Sequence, residues 1–124
     1  MSDRRAQSLG DRTLVELGRL HEAAAAHVRI VQEYIDAHLN EPLTAGQLAA
    51  LVGTSVRGLQ LQFHRLVGCS PIAFVRRRRL EAVRRDPLQG PPGDTVSQIA
   101  FRWGLCHLGR FAGDYLRLFG EHPW

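Results

Sequence analysis

Arginine, glutamine and histidine side chains at the starts of two predicted helices are the residues of this sequence best suited to chemistry. In the first of these helices the apolar spacing turns Arg57, Gln60 and His64 outward. Arginine can hydrogen-bond both O6 and N7 of guanine, and glutamine both N6 and N7 of adenine. In the second helix the outward residues near its start are His107, Gly109 and Arg110. Both faces therefore predict contact with base edges in the major groove of DNA.

Apolar residues at helical spacing define the opposite faces of the same two helices. The predicted inward residues are Val56, Leu59, Phe63, Leu66 and Val67 in the first helix, and Phe111, Tyr115, Leu118 and Phe119 in the second. Sequence-specific RNA-binding modules expose aromatic rings for base stacking. Because the aromatic residues here fall on inward positions, and Trp103 falls in a packed turn, RNA binding is the weaker alternative.

Nucleophilic and metal-ligating residues form no recognisable site in the sequence. Cys69, Cys106, His64 and His107 fit none of the usual zinc spacings, and no carboxylate pair or glycine-rich phosphate loop accompanies them. We therefore expect no catalytic residue, no metal site and no cofactor. Two cysteines make no disulfide framework, so we expect both to be reduced thiols.

The distribution of charge favours a nucleic-acid partner. The 124-residue chain has 16 basic residues, all of them arginine, and 12 acidic ones, for a net charge of +4. Between positions 57 and 85 there are eight arginines and one acid, whereas the charges of residues 1–28 cancel. Basic charge concentrated around a base-reading segment is the electrostatic footprint of a nucleic-acid-binding protein.

Long apolar segments are missing from the sequence. The polar start MSDRRAQSLGDR has no signal-peptide core, and no apolar run is long enough to span a membrane. We therefore expect no membrane association and a cytoplasmic location.

One helical unit occurs twice in the chain. A shift of 51 residues aligns Thr44, Gln47, Ala49 and Gly53 with Thr95, Gln98, Ala100 and Gly104. After the glycine the shift becomes 52, and it aligns Leu59 with Phe111, Phe63 with Tyr115, Arg65 with Arg117, Leu66 with Leu118, Gly68 with Gly120 and Pro71 with Pro123. Each copy opens with a Thr-x-x-Gln capping box, turns at a glycine and continues into a longer helix. This order is the helix-turn-helix plan.

The predicted fold class is all-α, since no period-two alternation occurs. Residues 1–27 form a lead-in segment with a short helix over 13–26, which has leucines at 14, 17 and 20. A second helix runs over 28–39. The first helix-turn-helix unit occupies 28–69, a linker helix 70–86, a loop 89–94 and the second unit 95–124. We expect the linker helix to end at Asp86-Pro87.

The four successive arginines Arg76–Arg79 point all round the linker helix, because successive residues are about 100° apart. Arg76 and Arg79 lie beside its apolar stripe of Ile72, Val75, Leu80 and Val83. We therefore expect one of them to pack its stem inward and to reach a carboxylate or a carbonyl, with Asp114 as a candidate. Arg77 and Arg85 are both within i,i+4 reach of Glu81.

From residue 28 to residue 124 the sequence resembles the DNA-binding domain of the AraC/XylS transcriptional regulators. The resemblance is carried by LTAGQLAALVGTS, LQLQFHRLVGCSPIAFVRRRRLEAVRR and TVSQIAFRWGLCHLGRFAGDYLRLFGEHP. It implies a seven-helix bacterial protein in which two homeodomain-like units read adjacent major-groove segments. It also implies RNA polymerase and an effector-binding or dimerisation domain as further partners. With only 27 residues ahead of the match, we expect either an isolated domain or a short regulator.

Three departures from the family pattern concern the two recognition helices and the linker. Leu61 and Gly113 stand where many members carry long polar side chains. Cys106 stands at the usual small polar cap of the second recognition helix, and Pro87 shortens the linker helix.

These inferences assign two sets of residues to double-stranded DNA. The base-reading set is Ser55, Arg57, Gln60, His64, His107, Gly109 and Arg110, and the phosphate set is Thr44, Arg77, Arg78, Arg84 and Thr95. The function predicted is sequence-specific transcription regulation. The alternative is a helical protein-interaction or dimerisation module with secondary nucleic-acid affinity, which the leucines of the lead-in helix would serve.

Overall fold

The structure, a computed structural model, describes residues 2–89 and 95–123 of the chain. Within these ranges it consists of six helices and contains no strand: α1 (Ser2–Ala37), α2 (Ala45–Leu51), α3 (Val56–Leu66), α4 (Pro71–Gln89), α5 (Val96–Arg102) and α6 (Leu108–Phe119). The all-α class and the two helix-turn-helix units, α2–α3 and α5–α6, are confirmed. Positions 90–94 of the predicted loop lie outside the described residues. None of the described helices is both long and apolar enough to cross a membrane.

Helix α1 is one continuous helix of 36 residues, so the prediction of a separate lead-in helix was wrong. No proline or glycine stands between Ala26 and Val28, and nothing else there breaks the helical hydrogen bonding. The resemblance over residues 28–124 implied seven helices, whereas the described residues of that range contain six, with the second half of α1 as the first. The second half of α1 packs through Val28, Val31 and Ile35, which are buried.

Both helix-turn-helix units begin with the predicted capping box. The hydroxyls of Thr44 and Thr95 each accept a hydrogen bond from the backbone N–H of the glutamine three residues later, and that glutamine's side chain accepts one from the threonine N–H. Both turns then pass through a left-handed glycine, Gly53 at φ 69° and Gly104 at φ 82°. A residue with a Cβ is strained at such angles, which explains the repeated glycine.

Two adjoining cores hold the units together. The first is built by α1, α2, α3 and part of α4 around Ile35, Leu48 and Phe63, and the second by α4, α5 and α6 around Ile99 and Phe111. Helix α4 contributes buried residues to both cores, and Trp103 packs against both. The inward placement of Leu59, Phe63, Phe111 and Tyr115 is confirmed.

Four residues predicted to face inward are instead exposed at the edges of the cores. Val56, Leu66, Ile72 and Leu118 retain between 37% and 38% of their accessible surface. The apolar stripe on each helix is wider than the area its neighbours cover, so its margins remain in contact with solvent.

Helix α4 continues to Gln89, so the prediction that it ends at Asp86-Pro87 was wrong. Proline removes one backbone donor from the helix, but the residues after it keep their own N–H groups and can close the last turn. At 19 residues α4 is about 28 Å long. Because it contributes to both cores, α4 forms a spine on which both units are mounted.

Candidate nucleic-acid interface

Helix α3 presents its predicted reading face to solvent. Arg57, Gln60, Leu61 and His64 are all exposed, while Leu59 and Phe63 on the opposite face are buried. Among the described residues no hydrogen bond or ion pair occupies Arg57, Gln60 or His64. These side chains are therefore available to an external ligand.

The first turn of α3 is fixed by Ser55 and Gly58. The Ser55 hydroxyl is the N-cap and accepts a hydrogen bond from the Gly58 N–H at 3.0 Å. A Cβ at position 58 would lie 2.7 Å from the Thr54 hydroxyl oxygen, so a larger residue here would require that hydroxyl to move. The Ser55 hydroxyl can still donate its proton, and Ser55 remains a predicted contact to DNA.

The N-cap of α6 lies one residue later than predicted. The N-cap is His107, whose side chain makes no capping hydrogen bond, so the assignment of the cap to Cys106 was wrong. The Cys106 thiol points back and donates to the Gly104 carbonyl, with 3.7 Å between sulfur and oxygen. The one-residue insertion in the second turn carries the cap past the cysteine, because the shift between the units there changes from 51 to 52.

The predicted contact residues of α6 are exposed, but they differ in kind from those of α3. His107, Gly109 and Arg110 all face solvent, and a Cβ built on Gly109 would meet no described side chain within 4 Å. With Ser55 aligned to His107, the shift of 52 pairs Arg57 with Gly109, Gly58 with Arg110, Gln60 with Ala112, Leu61 with Gly113 and His64 with Leu116. The α6 positions equivalent to the reading face of α3 are therefore small or apolar.

Thr44 and Thr95 lie exposed at the starts of α2 and α5. Each hydroxyl oxygen accepts a hydrogen bond of 3.2 Å from a backbone N–H and keeps its own proton to donate. Their predicted phosphate contacts are compatible with this geometry.

The three arginines of α4 predicted to contact phosphate already have acidic neighbours. Arg77 Nε lies 3.4 Å from Glu81 Oε1, which confirms the i,i+4 pair. Arg78 lies between Asp36 and Glu81, at 3.2 and 3.1 Å, and stacks on the ring of Phe74. Such surface ion pairs contribute about 0–1 kcal/mol, so a phosphate can compete for these side chains.

Arg84 has a comparable environment near the end of α6. Its Nη2 atom lies 3.5 Å from Glu121 Oε1, and its guanidinium lies over the Phe119 ring, 4.4 Å from the centroid. Half of its side-chain surface remains exposed. Phosphate contact by Arg84 would therefore exchange one anionic partner for another.

Arg76 and Arg79 both point inward as the helical spacing predicts. Arg76 Nε lies 3.8 Å from Asp114 Oδ2, the carboxylate singled out from the sequence. Arg79 donates from Nε to the Leu39 carbonyl at 3.0 Å and from Nη2 to the Glu41 carbonyl at 2.7 Å. Burial lowers the pKa of the Arg79 guanidinium, an effect that the nearby Cys106 thiol opposes.

Sequence reasoning missed the acidic residues that fasten α4. Asp86 accepts hydrogen bonds from Trp103 Nε1 at 2.8 Å and from Arg102 Nη1 at 3.1 Å. Asp36 on α1 pairs with Arg78, 42 positions along the chain. No periodicity within one helix could reveal the contacts of Asp86 and Asp36, because each contact joins two different helices. Sequence reasoning also missed Phe101, an aromatic side chain on α5 that is 63% exposed.

The two units and α4 enclose a cleft of about 110 Å³. Its charged lining includes Arg76, Arg79, Arg110 and Asp114. Across the described part of the chain, no group of three or more His, Cys, Asp or Glu side chains is arranged to hold a metal ion.

Comparison with known proteins identifies relatives among gene regulators. A sequence model of a helix-turn-helix domain matches residues 48–124. The chain is 41% identical over 109 residues to the probable thc operon regulatory protein of Rhodococcus erythropolis, a match covering 85% of this chain and 33% of that protein. It is 36% identical over 97 residues to the XylDLEGF operon transcriptional activator 2 of Pseudomonas putida, covering 77% of this chain and 60% of that protein. The chain thus spans about a third to three-fifths of the length of these relatives.

A solved structure shows the same arrangement of helices. The probable AraC family transcriptional regulator from Rhodopseudomonas palustris CGA009 superposes with a TM-score of 0.75 at 42% sequence identity. The superposition covers 79% of this chain and 91% of that one.

Proposed function

Because the chain belongs to the AraC/XylS family of helix-turn-helix proteins, we propose that it regulates transcription by binding double-stranded DNA through α3 and α6. Two helix-turn-helix units on one spine can insert two recognition helices into successive major-groove segments. A regulator of bacterial genes acts in the cytoplasm, and this location is part of the same proposal.

One observation carries this proposal: α3 exposes Arg57, Gln60 and His64 together, with no intramolecular partner among the described residues. A helix whose outward side chains can each grip a base edge, braced from behind by α1 and α2, is the arrangement that direct readout requires. The alternative interpretation is that this polar face of α3 contacts only solvent. That interpretation does not explain why the same capped helix-turn-helix unit occurs on both sides of α4.

The two recognition helices have different roles in this proposal. Helix α3 reads bases through Arg57 and Gln60, with Ser55 and His64 at either side of them. Helix α6 lacks long side chains at the equivalent positions, so its backbone at Gly109 approaches the DNA closely. There Arg110 and His107 supply the contacts that discriminate bases.

The remaining predicted residues hold the DNA backbone. Thr44 and Thr95 donate their hydroxyl protons to phosphate at the start of each unit, and Arg77, Arg78 and Arg84 contribute charge from α4. Phosphate contacts fix the register of the protein on DNA without specifying the sequence. An effector-binding or dimerisation domain and RNA polymerase remain proposed partners. Regulators of this family are normally non-enzymatic, and we propose no catalytic residue.

The decisive test is selection of bound sequences from a random pool of duplex DNA. We expect two short motifs about one helical turn apart, with stronger base preference in the motif that α3 contacts. An Arg57→Ala protein selected in parallel should lose preference at one position of that motif. Absence of any enrichment by the folded wild-type protein would contradict the proposal. Competition with structured RNA in the same buffer distinguishes the RNA alternative.

A second candidate function, self-association, is favoured by the first half of α1. Leu14, Leu17 and Leu20 are 69%, 55% and 67% exposed, and they continue the stripe that Val28 and Val31 bury further along the same helix. A Leu17→Glu substitution in the full chain should convert a dimer into a monomer if this stripe is a seam. A mass measurement that finds the wild-type protein monomeric at micromolar concentration would exclude this function.

A further inference from the structure

One side chain of α4, Arg79, contacts both helix-turn-helix units. Among the described residues, no other charged side chain contacts both units. Arg78 pairs with Asp36 on the side of the first unit, whereas Arg76 pairs with Asp114 on the side of the second. Of these arginines, only Arg79 contacts the backbone of both units.

On the side of the first unit, Arg79 binds two carbonyl groups in the turn that follows α1. Its Nε donates to Leu39 at 3.0 Å and its Nη2 to Glu41 at 2.7 Å. A guanidinium fork with two fixed acceptors holds a defined direction, which a single flexible ion pair does not. Leu39 is itself buried, so these acceptors are anchored in the first core.

On the side of the second unit, the same guanidinium lies against Gly104. A Cβ at position 104 would be 3.1 Å from Arg79 Cζ and 3.3 Å from both Nε and Nη1. A Cβ on Gly53, the equivalent glycine of the first unit, would meet no described residue other than its chain neighbours within 4 Å. Both glycines are required by a left-handed turn, but only Gly104 is also required by a close approach, and the side chain that approaches is Arg79.

We propose that Arg79 sets the spacing between the two DNA half-sites by locking the two helix-turn-helix units in one relative orientation. This inference rests on the proposed function for its DNA part. Two linked recognition elements bind cooperatively only when the geometry of the link matches the separation of their sites. With the lock intact, one spacing is strongly preferred. With the lock removed, each unit still recognises its own half-site, but the pair tolerates several spacings and gains less from being linked.

The DNA test uses Arg79→Gln with Arg85→Gln as the matched control. Both residues are on α4, and both substitutions remove one positive charge, but Arg85 is exposed and has no hydrogen bond or ion pair in the described structure. Affinities are measured for a single half-site and for paired half-sites whose separation varies by one base pair at a time. We expect Arg79→Gln to bind a single half-site within about two-fold of the control. At the preferred spacing we expect it to bind roughly 10- to 100-fold more weakly than the control, with a flattened spacing profile. An unchanged spacing profile in folded Arg79→Gln protein would overturn the proposal.

A measurement without DNA tests the lock separately from the proposed function. Residual dipolar couplings of the wild-type full chain should fit one alignment frame for both units, and those of Arg79→Gln should require two. Two frames in the wild-type protein, or one frame in both proteins, overturn the lock. If the wild type shows one frame but binds no duplex, the lock stands and the DNA-binding function fails. If Arg79→Gln does not fold, Arg79→Lys takes its place, because a lysine keeps the charge but cannot span both carbonyls and Gly104.

Discussion

Arg57 offers the sharpest test of base reading, because nothing within the described protein restrains its side chain. It is exposed in the first turn of α3, one residue before Gly58, whose N–H donates the capping hydrogen bond to the Ser55 hydroxyl. A bidentate arginine–guanine contact contributes roughly 1–3 kcal/mol of discrimination against the wrong base. Since the substitution breaks no internal ion pair, Arg57→Ala should leave the free energy of unfolding within about 0.5 kcal/mol of the wild-type value. Its affinity for the selected duplex should fall by roughly 5- to 150-fold.

The assay compares the selected duplex with duplexes altered at each base pair of the first half-site, at one fixed salt concentration. For the wild type, one altered pair should cost about 1–3 kcal/mol, and for Arg57→Ala that same pair should cost almost nothing. Arg65→Ala is the matched control, since Arg65 is also exposed on α3 but lies in the last turn, away from the reading face. The reasoning is refuted if Arg57→Ala weakens every duplex equally, because such a loss indicates that Arg57 binds phosphate.

Four further predictions concern stability, salt and DNA shape. Phe63→Ala and Phe111→Ala should each lower the free energy of unfolding by about 3–5 kcal/mol in urea denaturation, since each empties the centre of one core; a decrease below about 1 kcal/mol would contradict the assigned cores. A double substitution of Arg77 and Arg78 by alanine should lower the binding affinity for all duplexes by the same factor. It should also make the slope of log K against log salt less steep, by about 0.9 for each phosphate that the protein no longer neutralises. Burial, and after it Glu121, raises the pKa of Tyr115, so the unfolded state ionises first and stability should fall as pH rises above about 10; Tyr115→Phe should reduce this dependence in denaturation curves recorded from about pH 9 to 11. Helix α4 is about 28 Å long, whereas the half-sites are about 34–36 Å apart. Either circularly permuted probes should therefore show a bent duplex, or footprinting should show protection of only one half-site. A straight duplex protected at both half-sites would contradict this.

The features predicted correctly from the sequence are those decided within a few residues. A threonine followed three residues later by glutamine closes a capping box by itself, as at Thr44 and Thr95, and a glycine is needed wherever the turn is left-handed. The alternation of Leu59 and Phe63 with Arg57 and Gln60 fixes which side of α3 is buried. These local rules were sufficient to predict both units and the exposed face of α3.

The errors concern features that neighbouring helices decide. Helix α1 continues through His27 because no proline or glycine interrupts its backbone hydrogen bonds there. The change in its apolar stripe at that point, on which the prediction of two helices rested, does not end a helix. The exposure of Val56 and Leu66 depends on how far α1 and α2 extend over α3. The partner of Arg78, Asp36, comes from a different helix, and helical spacing within α4 points only to Glu81. The cap at His107 reflects a single inserted residue, which shifted the start of α6 past Cys106.

The arginines of α4 show that a run of basic residues does not by itself define a phosphate-binding surface. The excess of arginine between positions 57 and 85 predicts such a surface, yet Arg76, Arg78, Arg79 and Arg84 are each held by a carboxylate or by carbonyls. The arginines of α3 without such a partner in the described structure are Arg57, on the proposed reading face, and Arg65, in the last turn. Four of the six arginines of α4 therefore link it to neighbouring helices or turns, and a phosphate has to compete with those contacts to bind Arg78 or Arg84. A run of basic residues can serve as a set of internal fastenings when acids and carbonyls from neighbouring helices converge on it.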